Sequence, residues 1–213
     1  MKTLLDTLLV IVLVMNLFAL GTSRIQALIR IVAAQGGVLG VILLIAHEHA
    51  TFPVVLVAAA GISIKGLLIP AIMMRALRQA EIKREIEPLI SPLSSIVLGA
   101  TATAFAILSA RELPLADQNA GALLVPTSIA TVLVGFILLT TRFKALTQVV
   151  GYLVLENGIF LFGMLLIEAM PMVVEMGVLL DLFVGVFVIS IIVNHIHQAF
   201  SSLDTRRLSA LKE

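Results

Sequence analysis

The chain has 213 residues, 60% of them hydrophobic and only 13% charged, with a formal net charge of +1. That charged share is about half of what a soluble domain carries, and a mean hydropathy of +1.15 places the chain among polytopic membrane proteins. The absence of cysteine excludes a disulfide, a thiolate zinc site or a cysteine-ligated iron–sulfur cluster supplied by this chain.

Seven apolar segments are predicted in chain order, at about Thr3–Leu20, Ile25–Ala46, Pro53–Leu77, Pro92–Ala110, Gly121–Thr141, Leu146–Ile167 and Pro171–Ala199. Each is long enough as a helix to cross an apolar layer about 30 Å thick. The first lacks a small-residue cleavage region and is followed by further spans, so it reads as a span and not as a signal peptide. Pro53, Pro92 and Pro171 stand at first-turn positions, where a missing N–H is harmless. Pro70 and Pro126 fall inside apolar runs, and Pro70 is expected to kink the third helix just after Lys65.

The fold expected is an all-α, polytopic membrane helix bundle forming one domain. Within it, residues 1–78 form a first three-helix unit and 79–91 a loop. Residues 92–120 hold the fourth helix and a loop, 121–200 a second three-helix unit, and 201–213 a tail. Arg24, Arg30, Arg75, Arg78, Lys83, Arg84, Arg142, Lys144, Arg206, Arg207 and Lys212 all fall on one side. The other side holds only Lys2 and Arg111 among Lys and Arg, with His47, Glu48, His49, Glu112, Asp117, Glu168 and Glu175. The positive-inside rule then predicts an outer N-terminus and a cytoplasmic C-terminus, which requires an odd number of spans. The location implied is the cytoplasmic (inner) membrane, with the lipid bilayer as a partner and no nucleic acid.

Three ionisable residues, Lys65, Glu156 and Asp181, lie deep in apolar runs. A charge at the bilayer centre costs about 2.5–3.5 kcal/mol on the most lenient scale. At 1.5 Å per residue, Lys65 lies about 18 Å from the start of its helix, and Glu156 and Asp181 about 15 Å from theirs. Gln35 falls at a similar depth. All four are therefore expected near the midplane, as a polar layer. Two acids and one base do not all pair as simple ions, so one proton is shared or mobile, which is the chemistry of a proton relay. Gln35, Glu175 and Asn157 are candidate accessory residues. Gly61, Gly177 and Gly185 flank the layer at helical spacing and are expected to allow close helix approach. A buried pair that merely closes a bundle is the bland alternative.

The residues Gly151-Tyr152-Leu153-Val154-Leu155-Glu156-Asn157-Gly158 and Pro171 through Asp181 resemble hydrogenase-4 component E, a membrane subunit of formate-hydrogenlyase-type and related group 4 [NiFe]-hydrogenase complexes. Ser63-Ile64-Lys65-Gly66-Leu67-Leu68-Ile69-Pro70 is similar to that family's lysine-containing third helix, and Leu203 through Lys212 to its C-terminus. The last three helices also look like the K subunit of complex I, with Glu156 and Asp181 at its two membrane glutamates. That resemblance implies a non-catalytic, cofactor-free subunit with antiporter-like and other membrane subunits of a hydrogenase complex as partners. It also implies a proton relay through Lys65, Glu156 and Asp181. Gln35-Gly36-Gly37 and Lys65 stand where Glu156-Asn157-Gly158 and Asp181 would fall in a degenerate repeat.

Three other readings compete. A haem anchor would need paired histidines, but His47 and His49 fall on the side opposite His195 and His197. A stand-alone ion transporter would need its own cavity. A structural linker would need the charges only for assembly. No nucleophile, phosphate loop or metal-ligand cluster is evident, so no catalytic, metal or cofactor-binding residue is assigned.

Overall fold

The structure, a computed structural model, describes residues 2–46, 52–79, 89–112, 123–142 and 144–165. The elements are α1 (Lys2–Gly21), α2 (Ile25–Ala46), α3 (Phe52–Gly61), a π-helical segment (Ile62–Leu68), α4 (Ile69–Gln79), α5 (Pro92–Arg111), α6 (Leu124–Thr141) and α7 (Ala145–Met164). Among the described residues, six stretches are long and apolar enough to cross a membrane, the third running unbroken from Ala58 to Arg78 through the π segment. These multiple apolar helices make the chain a multi-pass membrane protein. The predicted seventh segment, Pro171–Ala199, lies outside the described residues, and with it Glu175, Asp181, His195 and His197. His47 and His49 lie outside them too.

Local sequence explains several helix ends. At the start of α5 the Ser91 side chain accepts the Ser94 N–H at 3.1 Å, and Pro92 fills the first helical position. Because α6 begins at Leu124, Pro126 falls in its first turn, not in mid-helix, and breaks no hydrogen bond there. A kink is expected at Pro70; what the structure shows there is a π-helical segment, Ile62–Leu68, just before the proline. Proline cannot donate to the carbonyl four residues back, that of Gly66, and its ring crowds that oxygen. The helix widens just before it, and the Ile69 N–H reaches Ile64 O, five residues back. Lys65 sits inside this widened turn.

The most extensive interface is between α6 and α7, while α5 packs on α6 and α1, and α2 packs on α1, α3, the π segment, α4 and α7. Close approach of α6 and α7 depends on glycine. A Cβ at Gly158 would lie 2.5 Å from the Val132 nitrogen, and one at Gly135 2.5 Å from that of Leu155. The expectation for Gly61 fails: nothing lies within 4 Å of where its Cβ would be, among the described residues. Gly36 makes the close approach to the lysine helix in its place, because it lies directly opposite Lys65 on α2.

Two separate apolar clusters fill the bundle. One joins Leu20, Ile25, Ile29, Met73, Leu138 and Val150 with their neighbours, and the other joins Leu9, Leu39, Ile42, Leu124 and Leu161 with theirs. Large apolar side chains face outward, among them Leu93, Phe105 and Leu108 on α5, as lipid contact requires. At the end of the first cluster, buried Arg142 donates from Nη2 to Leu20 O at 2.9 Å. The C-terminal ends of α1 and α6 thus lie together, and the guanidinium satisfies a carbonyl that the helix leaves open. Burial alone lowers the Arg142 pKa from its ordinary value.

Candidate functional site

Along each described membrane stretch that contributes fully buried residues to both apolar clusters, a polar residue falls between them. Asn16 separates Val12 from Ala19, Gln35 separates Val32 from Leu39, and Lys65 separates Ala58 from Ile69. Thr127, Ser128 and Thr131 separate Leu124 from Val134, and Glu156 and Asn157 separate Val154 from Leu161. These residues form one transverse polar layer. The depths counted along the sequence for Gln35, Lys65 and Glu156 thus coincide in three dimensions.

Lys65 Nζ lies 3.6 Å from Glu156 Oε1, with 12% and 8% of the two side chains exposed. The ammonium also stands 5.3 Å from the centroid of the Phe160 ring. Phe160 follows Glu156 by four residues and so shares its face of α7. The lysine is held between a carboxylate and a ring face. Its approach is set by backbone geometry. A Cβ at Gly36 would meet Lys65 Cβ at 2.9 Å, so only glycine lets the widened turn settle on α2.

Asn157, one residue on from Glu156, points to a different neighbour. Its Nδ2 donates to Gln35 Oε1 at 3.2 Å. Gln35 Nε2 donates to Asn16 Oδ1 at 2.9 Å, and Asn16 Nδ2 donates to Thr131 Oγ1 at 2.8 Å. The Thr131 hydroxyl donates in turn to Thr127 O at 2.7 Å. All these side chains are buried. The layer therefore has a charged part on the π segment and α7, and an amide part across α7, α2, α1 and α6.

Of the residues predicted for the site, Lys65, Glu156, Gln35 and Asn157 are brought together, whereas Asp181 and Glu175 lie outside the described residues. Asn16 and Thr131 belong to the layer and were missed by sequence reasoning. The signal available was the lone amide in the apolar run of α1. Counting from Thr3 puts it about 20 Å along the helix, past the middle. Among the described residues, no group of three or more His, Asp or Glu is placed to hold a metal ion.

A protein of Mycobacterium tuberculosis, "Uncharacterized protein Rv0085", is 32% identical to the chain over 195 residues, covering 89% of this chain and 87% of that one. The chain belongs to the Rv0085 family. Hydrogenase-4 component E of Escherichia coli K12 is 29% identical over 157 residues, covering 73% of this chain and 72% of that protein, and the same values hold for its Shigella flexneri counterpart. The Rv0085-family chain is thus a distant homologue of hydrogenase-4 component E, as the residues around Glu156 and Lys65 predict. No family model and no solved structure matches it.

Proposed function

We propose that this chain is a non-catalytic membrane subunit of a multisubunit hydrogenase-type complex, and that its buried charges form part of a lateral proton or ion relay. The single observation that carries this reading is the Lys65–Glu156 pair at 3.6 Å, placed between two apolar clusters. The homology to hydrogenase-4 component E supplies the context of a complex. A buried base and acid in contact form a pair across which a proton can be redistributed. The reading assigns Asp181 as the second acid, with Glu175 as an accessory group. It orients the end bearing Arg24, Arg30, Arg75, Arg78, Arg142 and Lys144 toward the cytoplasm. Seven spans, antiporter-like neighbours and a likeness to the K subunit of complex I belong to the same proposal.

The test is Glu156→Gln in the intact complex, with assembly verified. Coupled proton translocation should fall while the subunit is retained, and unchanged translocation would overturn the relay. A second reading, a purely structural linker, is favoured by the amide part of the layer, which joins four helices without an ionisable group. On that reading Lys65→Met would block assembly and leave the turnover of any assembled complex normal.

A further inference from the structure

The basic end of the bundle carries charges that the polar layer does not use. Arg30 on α2 and Arg75 on α4 are both exposed. Among the described residues, neither side chain makes a hydrogen bond or an ion pair. Both stand inside apolar membrane stretches, Ile25–Ala46 and Ala58–Arg78. Counting from Ile25 puts the Arg30 Cα about 8 Å past the start of α2. A guanidinium facing lipid at that depth must reach back toward the interface and meet an anion there.

Each arginine ends an outward stripe. On α2, Arg30, Ala34, Gly37 and Val41 follow at helical spacing, and all are exposed apart from half-buried Gly37. On the neighbouring stretch Leu67, Ala71, Arg75 and Arg78 do the same, and all four are exposed. The two stretches run antiparallel, because Gly36 lies against Lys65 whereas Gly40, further along α2, lies against Ile62 and Ala58. Small residues bring them together. A Cβ at Gly66 would lie 3.8 Å from the Gly37 nitrogen and 3.7 Å from Ala33 O. Beside Gly37 the space is open, with nothing within 4 Å of where its Cβ would be, among the described residues. The two stripes therefore flank one outward groove floored by glycine. It is apolar toward mid-membrane and ends in arginine at the basic end. Lys65, turned to Glu156, is not part of it.

Chain direction brings the two guanidiniums together. Side chains of a helix lean toward its N-terminus. On α2, which starts at the basic end, Arg30 leans toward the interface. On α4, which finishes there, Arg75 leans back toward mid-membrane. Counted from the level where Gly36 meets Lys65, Arg30 lies about 9 Å toward the basic end and Arg75 about 15 Å. Their Cα atoms thus differ by about 6 Å in depth, and the side chains lean toward each other across that gap. Two cations converging in lipid repel unless an anion sits between them.

We propose that this groove binds one anionic phospholipid, its phosphate held between Arg30 and Arg75 and an acyl chain laid along Ala34, Gly37 and Leu67. Charge and depth together select the occupant. Phosphodiesters of the adjoining leaflet lie where the two guanidiniums reach, and the apolar floor continues from that point into the bilayer. A free phosphate would leave the floor empty. The proposal stands apart from the relay, since it uses none of the relay's residues.

The test uses the full-length chain purified in detergent. Bound lipid is counted by native mass spectrometry after addition of phosphatidylglycerol or phosphatidylcholine. Wild type should retain one phosphatidylglycerol several-fold more tightly than phosphatidylcholine, and millimolar inorganic phosphate should not displace it. Arg30→Gln and Arg75→Gln should each weaken phosphatidylglycerol binding by about fivefold, the contribution of one cationic side chain near an anionic membrane surface. Arg24→Gln removes an exposed arginine at the same end but outside both stripes, and should change nothing. Gly37→Leu fills the groove without altering charge, and should weaken both lipids to the same degree. Equal retention of the two lipids, or displacement by inorganic phosphate, would overturn the proposal. So would a loss in Arg24→Gln as large as that in Arg30→Gln, which diffuse surface charge predicts, or wild-type binding in Gly37→Leu. Unchanged lipid binding in Arg30→Gln, with the subunit lost from its complex, would assign the arginine to a neighbouring protein instead.

Discussion

Gly36 faces Lys65 so closely that a methyl group on its Cα would lie 2.9 Å from Lys65 Cβ and 3.3 Å from its carbonyl carbon. The position of the buried lysine is thus a property of α2 as much as of its own helix. Gly36→Ala should push the π segment outward and destabilise the protein by about 1–3 kcal/mol, the usual range for overpacking. Gly37→Ala, next to it, has nothing within 4 Å of the added methyl group among the described residues. It should be neutral or stabilise by up to about 1 kcal/mol, because alanine is the better helix former. Thermal unfolding of the purified protein in detergent compares the two, and an equal loss in both would contradict the packing described.

Removing one member of the Lys65–Glu156 pair should cost more than removing both. A buried pair contributes little net stability, but loss of one partner typically costs about 3–5 kcal/mol. Lys65→Met and Glu156→Gln should therefore each lower the unfolding midpoint, and the double variant should recover part of the loss. Additive losses in the double variant would show that the two groups are not coupled.

Pro70→Ala restores an N–H able to reach the Gly66 carbonyl and removes the ring that crowds it. The widened turn should then tighten toward α-helix, and residues before it should rotate by about 100°, one residue's worth of turn. Because the chain has no native cysteine, single cysteines report this directly. A spin label on such a cysteine should be readily relaxed by membrane-dissolved oxygen at exposed Leu67 and Ser63 and less so at half-buried Ile64 in the wild-type background. In Pro70→Ala the oxygen-accessible positions should shift along the helix by about one. An unchanged pattern would mean that Pro70 does not hold the π geometry.

Arg142→Met sets two effects against each other. The substitution removes a charged hydrogen bond to Leu20 O, worth about 1.5–3 kcal/mol. It also removes a buried guanidinium whose Nε and Nη1 find no hydrogen-bond partner among the described residues, and the cost of burying such a charge is several kcal/mol. The expected outcome is a change of less than about 1 kcal/mol in global stability, within the range found when buried ions are replaced by apolar groups. Hydrogen exchange should quicken at Thr22, whose N–H donates to Phe18 O in the last turn of α1. A large global loss would show that the guanidinium holds more than one helix end.

Much of this arrangement can be read from residue order, because an apolar run has a length and a charge inside it has a depth. Lys65, Glu156 and Gln35 emerge from that count alone. What a count cannot supply is azimuth. It does not say that Glu156 turns toward Lys65 while Asn157 turns toward Gln35, which depends on how α7 is rotated against α2. Nor was Asn16 singled out, although at about 20 Å along its run it lies close in depth to Lys65, about 18 Å along its own. The π turn was legible only as a proline in the wrong place. Gly61 and Gly36 look alike in sequence, and only the packed bundle shows which of them a neighbour leans on.

The hydrogen-bonded amides also bear on how the protein is made. Asn16 and Gln35 are separated by 19 residues and can meet once two helices have entered the bilayer, but Thr131 is 115 residues from Asn16, and Asn157 is 122 from Gln35. Until α6 and α7 arrive from the ribosome, the early hairpin carries an unspent donor and an unspent acceptor into lipid, where neither finds water. A nascent chain stalled before α6 therefore displays a polar mark in its membrane face that completion erases, a chemical difference by which unfinished copies can be told from finished ones.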